Sequence, residues 1–182
     1  MAAPFDSTPN AYDQSASTQQ HRGEAPTSVA VAVLTISDTR TSDTDTSGAL
    51  IKQHLTWRGH EVVDYAIAKD EPAEIDATLR AWIARDDIRA IITNGGTGIA
   101  RRDTTFEVVT RLLEKELTGF GELFRMLSFP EIGSAAMLSR ATAGVANRTA
   151  IFCMPGSSNA VKLGMEKLIA PELGHVVHEM TK

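Results

Sequence analysis

From Ser28 to Asp38 the chain reads Ser-Val-Ala-Val-Ala-Val-Leu-Thr-Ile-Ser-Asp, an apolar run rich in β-branched residues and without polar alternation. A strand with one face in water would alternate, so this one is covered on both faces and belongs in the middle of a parallel sheet. Parallel neighbours need long crossovers, and helical patterns follow at the right intervals. Thr39–Asp45 is a polar loop, Thr46 or Ser47 is placed to cap a helix that runs to about Arg58 and closes at Gly59, and His60–Ala68 is a second strand. Asp70-Glu71-Pro72 starts a helix, with Ile75, Leu79, Trp82 and Ile83 on one 3.6-residue stripe. Ala90–Thr93 is the third strand. Thr104-x-x-Glu107 has capping-box spacing, and Phe106, Val109, Leu113 and Leu117 continue an apolar stripe. Two shorter helices, Gly119–Leu127 and Glu131–Ser139, are expected around Pro130, then a strand at Arg148–Met154 and a helix carrying Val161, Met165, Leu168 and Ile169, with Pro171 ending or interrupting it before a last turn near His175 to Met180. The alternation predicts an α/β fold, a three-layer doubly wound and mostly parallel sheet. One domain over residues 28–182 is expected, after a disordered tail at 1–27 made of Ser, Thr, Gln, Ala and Pro without periodicity.

Composition removes several function classes. Eighteen basic against 23 acidic side chains leave a net charge of −5, the opposite of the basic footprint of a nucleic-acid binder. No stretch approaches the ~20 apolar residues of a membrane span, and the N-terminus lacks a secretory pattern. The single cysteine, Cys153, lies in the apolar run Ala150–Met154 and reads as a buried structural thiol; a cytoplasmic protein is expected. His175 and His178 are expected at the surface, and Trp82 and Phe106 in the core.

The chemistry concentrates in Ile91–Phe106, where an apolar run meets Gly95, Gly96, Thr97 and Gly98, then Arg101, Arg102 and Asp103, then a helical pattern. Glycines let backbone N–H groups face a ligand, and a helix N-terminus behind them favours an anion. Two arginines add paired donors for phosphate oxygens, and a carboxylate beside them can hold a metal ion. In an open α/β sheet, ligands bind beyond the carboxyl ends of the strands. That rule brings the loops at Asp38, at Asp70, at Gly95–Asp103 and at Pro155-Gly156-Ser157-Ser158 to one edge. A Walker A loop is excluded because no Gly-Lys-Ser/Thr triplet occurs, and the dinucleotide fingerprint fails because Arg101 stands where its third glycine belongs. On local sequence alone, Asp70 reads as a helix cap before a metal ligand, whereas Asp103 and the pair Arg101 and Arg102 read as phosphate-site residues before a cap and a solvated pair, and Pro155–Ser157 reads as a plain turn or a ligand loop alike.

From about Val31 to Leu173 the chain resembles the MoaB/MogA family of molybdenum cofactor biosynthesis proteins, closest to the B type. The likeness rests on Thr35-Ile36-Ser37-Asp38, Asn94–Gly98, Arg101-Arg102-Asp103, Gly119–Glu122, Phe124–Ser128, Ser139-Arg140-Ala141, Ala143–Asn147 and Met154–Ser157, in that order along most of the chain. The resemblance implies an α/β fold, commonly trimeric, that binds molybdopterin and uses Mg²⁺ and ATP to attach AMP to the terminal phosphate of molybdopterin, releasing pyrophosphate. It implies Asp70 and Asp103 as the catalytic, metal-holding pair. Substrate and phosphate contacts are expected from Ser37, Asp38, Gly95, Gly96, Thr97, Gly98, Arg101, Arg102, Ser139, Arg140, Pro155, Gly156 and Ser157. Some B-type members lack the acidic pair, but here both positions are filled, which favours an active adenylyltransferase over a non-catalytic molybdopterin-binding protein. The attacking group of such a reaction is already anionic, so positioning and charge neutralisation can carry it without a nucleophilic triad.

Overall fold

The computed structural model describes residues 23–182. Most of the expected tail, residues 1–22, lies outside these. Its last residues are packed: Ala25 and Pro26 lie against Gly174, and the Glu24 carboxylate is 3.6 Å from His178 Nε2.

The strands are β1 (Ala30–Ile36), β2 (Glu61–Ala68), β3 (Ala90–Asn94), β4 (Lys115–Glu116), β5 (Thr142–Ala146) and β6 (Thr149–Met154). They form one sheet in the order β2-β1-β3-β6-β5-β4, with β2, β1, β3 and β6 parallel and β4 and β5 antiparallel to their neighbours. The helices are α1 (Thr46–Trp57), α2 (Pro72–Ile83), α3 (Thr105–Leu112), α4 (Thr118–Ile132), α5 (Ser158–Gly164) and α6 (Ala170–Met180).

The missing polar alternation has a direct structural cause. Val31 and Val33 of β1 face one core, with Ile51 and Leu55 of α1, Phe124 of α4 and Val161 of α5. Ala32 and Leu34 face the other, with Ile75 and Leu79 of α2 and Val108 and Val109 of α3. All of β3 and β6, and β1 after its first residue, therefore leave water, whichever way a side chain points. Trp82 is in the core as expected and donates from Nε1 to Asp64 at 3.1 Å. Cys153 is fully buried, and burial pushes its thiol pKa up to about 12, so it is protonated at neutral pH and a poor nucleophile.

Four local expectations are corrected. The cap of α1 is Asp45, whose carboxylate accepts from the Gly48 N–H at 3.0 Å, and neither Thr46 nor Ser47 serves. The pair of helices around Pro130 is one helix, α4, followed by a 3₁₀ segment at Gly133–Leu138. Pro130 is tolerated because it falls in the last turn, where its missing N–H costs a single bond. The apolar stripe on α3 stops at Leu112, and Leu117 is exposed beyond it. β5 was not expected; it turns into β6 through Asn147, whose φ of 55° is the left-handed conformation that asparagine accepts. Pro171 interrupts without ending: a π-helical turn at Met165–Ile169 widens the backbone just ahead of it, and helix continues to Met180.

Candidate active site

The four loops at the carboxyl ends of β1, β2, β3 and β6 do meet. Ser37 shapes the first by accepting at Oγ from the N–H groups of Thr39 (3.3 Å) and Arg40 (3.2 Å). Asp38 Oδ1 takes the Asp70 N–H at 3.3 Å, which joins the loop after β1 to that after β2. Arg102 Nη2 then reaches Asp38 Oδ2 at 3.0 Å and Glu71 Oε1 at 3.1 Å, bringing in the loop after β3. Those two acidic partners, Asp38 first, hold the guanidinium pKa above its ordinary value. Arg101 is exposed and makes no ion pair among the described residues.

Glycine is required where the β3 loop turns. Gly96 has φ +62°, and a Cβ there would overlap Thr105 Oγ1 and stand 2.8 Å from Asp70 Oδ2. The vacant space is what lets the Asp70 carboxylate lie against this loop. Gly156 of the β6 loop approaches from the other side, and its would-be Cβ falls 2.9 Å from Gly95 Cα. The Gly95 N–H donates to Met154 O at 3.2 Å, so the β3 and β6 loops form one double layer.

Asp70 is half-buried and accepts from Thr104 N–H and Oγ1, both at 3.4 Å. Burial raises its pKa, the neighbouring charges of Asp103 and Asp38 act the same way, and the Thr104 bonds only partly offset them. Such a carboxylate gains from any cation that arrives beside it. Asp103 folds its own loop, accepting the Ala100 N–H at Oδ2 at 2.9 Å. Neither aspartate caps a helix: α2 has Glu71 at its N-cap and α3 has Thr104, each without a side-chain cap bond. The expected Thr104/Glu107 capping box is absent too, because Thr104 turns to Asp70 and Glu107 pairs with Arg140.

Other expected site residues have structural occupations here. Ser157 caps α5 by accepting the Ala160 N–H at 3.3 Å. Arg140, next to Ser139, holds loop carbonyls and Glu107 and stacks its guanidinium 4.9 Å from the Phe106 ring centroid. Phe106, expected in the core, is thus only half-buried. His175, expected at the surface, is half-buried and pairs with Glu172 at 3.0 Å, and His178 is half-buried too.

Beneath the β6 loop is a network that a polar reading of Thr39–Asp45 misses. The Asp45 side chain is fully buried and accepts from Thr35 Oγ1 (2.5 Å), Tyr65 OH (2.7 Å), Gly48 N–H (3.0 Å) and Arg40 Nη1 (3.0 Å). Burial alone would raise its pKa; the four donors outweigh it and hold the carboxyl below its ordinary value. Arg40 Nη2 continues to Gly156 O at 3.4 Å, where Ser47 Oγ also donates at 2.7 Å. The sequence signal was an aspartate three residues before a helical glycine.

The assembled site is an open edge. The cavities of 370 Å³ beside Lys162 and Glu166 and of 320 Å³ beside Arg80 and Asn147 include none of its residues. Among the described residues no three His, Cys, Asp or Glu side chains form a ready metal cage. Asp70 and Asp103 supply two carboxylates only, which suits Mg²⁺, an ion that completes its shell with waters and substrate phosphates.

Residues 32–175, nearly the whole described fold, match the domain family described as "Probable molybdopterin binding domain". The chain belongs to the MoaB/MogA family. Molybdenum cofactor biosynthesis protein B of Halalkalibacterium halodurans is 59% identical over 167 residues, covering 91% of this chain and 98% of that one. The Bacillus subtilis protein of the same name is 54% identical over an equal span. A crystal structure of a molybdenum cofactor biosynthesis protein B superposes with TM-score 0.83 at 52% identity, covering 86% of this chain and 98% of that one. The tungsten cofactor synthesizing protein MoaB from Pyrococcus furiosus superposes with TM-score 0.78 at 38% identity, covering 87% and 100%. This MoaB/MogA protein is thus placed in molybdenum cofactor biosynthesis, with molybdopterin as the ligand of its domain family.

Proposed function

We propose that this MoaB/MogA protein is a cytoplasmic Mg²⁺- and ATP-dependent molybdopterin adenylyltransferase. A terminal phosphate oxygen of molybdopterin attacks the α-phosphorus of ATP, the bond from that phosphorus to the bridging oxygen breaks, and pyrophosphate leaves with the bond's electron pair. The observation that carries the reading is the meeting of Asp70, Asp103 and Arg102 around the Gly96–Gly98 loop at the sheet's carboxyl edge.

Both reactants are polyanions, so the main obstacle is mutual repulsion. The unpartnered N–H groups of Gly96, Thr97 and Gly98 would serve phosphate oxygens, and Arg101 and Arg102 would offer guanidinium forks. Asp70 and Asp103 would hold Mg²⁺, which when bound neutralises charge on the reacting phosphates. Asp38 and Glu71 keep Arg102 over the site in the absence of substrate. Self-association as a homotrimer belongs to the same proposal. It is supported by Leu123, Met126, Phe129 and Ile132 of α4, all exposed, and by Met137 and Leu138 of the 3₁₀ segment that follows.

The deciding experiment mixes the protein with ATP, Mg²⁺ and molybdopterin and follows pyrophosphate. Release that requires all three supports the enzyme. Tight molybdopterin binding without release would replace this proposal with a non-catalytic carrier.

A further inference from the structure

The loop Gly96–Asp103 is asymmetric in its hydrogen bonding. Five of its eight carbonyls are taken: Gly96 O accepts from Thr105 N–H at 3.0 Å, Ala100 O from Asp103 N–H at 3.0 Å, and Thr97 O, Gly98 O and Asp103 O from the single side chain of Arg140 at 2.8, 2.7 and 3.3 Å. By contrast, the N–H groups of Gly96, Thr97, Gly98 and Ile99 have no partner among the described residues. A loop can present several amides to an anion only if its carbonyls are turned away and satisfied, since an inward carbonyl would repel phosphate.

We infer that Arg140 is a positioning residue for this anion loop and not itself a ligand of the anion. Its Nε and Nη2 hold the loop carbonyls, Nη1 and Nη2 grip the Glu107 carboxylate on α3, and Phe106 of the same helix lies under the guanidinium plane. Glu107 is held by that grip below its ordinary carboxyl pKa, so the pair is charged at neutral pH. The chain just before β5 thereby sets the backbone geometry of a loop 42 residues earlier. Only a planar guanidinium can do this, because a lysine ammonium cannot reach three carbonyls and a carboxylate from one position. The functional half of the inference rests on the proposed nucleotide chemistry; the carbonyl clamp does not.

Two variants distinguish a positioning residue from a ligand. Arg140→Lys keeps the positive charge, so a ligand role predicts retention of much of the anion affinity, whereas the clamp predicts about a tenfold or greater loss. Glu107→Gln frees the guanidinium, so a ligand role predicts tighter anion binding, whereas the clamp predicts binding that is equal or weaker. The measurement is calorimetric titration of the full chain with inorganic pyrophosphate, alongside hydrogen exchange of the ligand-free protein. The clamp predicts faster exchange of the hydrogen-bonded loop amides of Ala100, Asp103 and Thr105 in Arg140→Lys, with exchange in β1 and β3 unchanged. Unchanged exchange in that loop, or tighter pyrophosphate binding by Glu107→Gln, overturns the inference. If the unmodified protein binds no pyrophosphate, the nucleotide reading fails and the exchange result alone decides the clamp.

Discussion

Asp45→Asn is expected to destabilise the fold through loss of the charge and of one acceptor oxygen, with little change in shape or in helix capping, because asparagine is nearly isosteric with aspartate and caps helices as well as it does. In the native protein one carboxylate oxygen serves Gly48 N–H and Arg40, and the other serves the Thr35 and Tyr65 hydroxyls. The amide keeps one oxygen for the first pair but offers an N–H₂ to the second, so both hydroxyls must turn round. Thr35 already accepts from Asn94 Nδ2 at 2.9 Å and has little freedom to do so. Two hydrogen bonds to a buried charge are lost and two weakened, about 2–4 kcal/mol in all. For a chain of this size that lowers Tm by ~5–15 °C. The sign with pH follows from the lowered Asp45 pKa: the stabilisation is fully present above 3.8, the ordinary value, and is lost as pH falls through the lower folded value. Wild type and variant should therefore converge in acid. Urea unfolding across pH measures both, and a phenolate titration adds a second readout. Tyr65, one of two tyrosines, has its pKa held well above normal by burial and by Asp45, and should ionise closer to the ordinary range in the variant. A loss under about 1 kcal/mol at neutral pH with an unchanged tyrosine titration would refute the role given to this network.

Gly96→Ala should cost about 1–2 kcal/mol for its left-handed backbone and push Asp70 away from the loop, so pyrophosphate release should fall much further than Tm. The double change Arg101→Ala with Arg102→Ala should leave Tm nearly unchanged, because both side chains are exposed, while calorimetry shows ATP affinity falling by about tenfold or more.

Much of the scaffold was legible in the chain. The β1 and β3 runs bury residues on both faces, and only a central parallel strand satisfies that pattern. Gly95, Gly96 and Gly156 marked the loops correctly because close backbone approach leaves no room for a side chain. β5 was hidden because Thr-Ala-Gly-Val-Ala has weak strand propensity and owes its place to pairing with β6. The roles of Arg140 and Asp45 were equally hidden. Their partners lie on other loops, and spacing along a sequence carries no record of contacts across a fold. Arg140 reads as one more phosphate-binding cation until its donors are followed to carbonyl oxygens.

The central claim is that Asp70 and Asp103 serve the reacting phosphates through Mg²⁺. The most direct test is the rate of pyrophosphate release by Asp70→Asn and Asp103→Asn across a Mg²⁺ titration, with molybdopterin affinity measured on the same samples. The account predicts that each variant loses turnover by about a hundredfold or more and needs more Mg²⁺, with molybdopterin affinity changed severalfold at most. Turnover and Mg²⁺ dependence equal to those of the unmodified protein in both variants would contradict it.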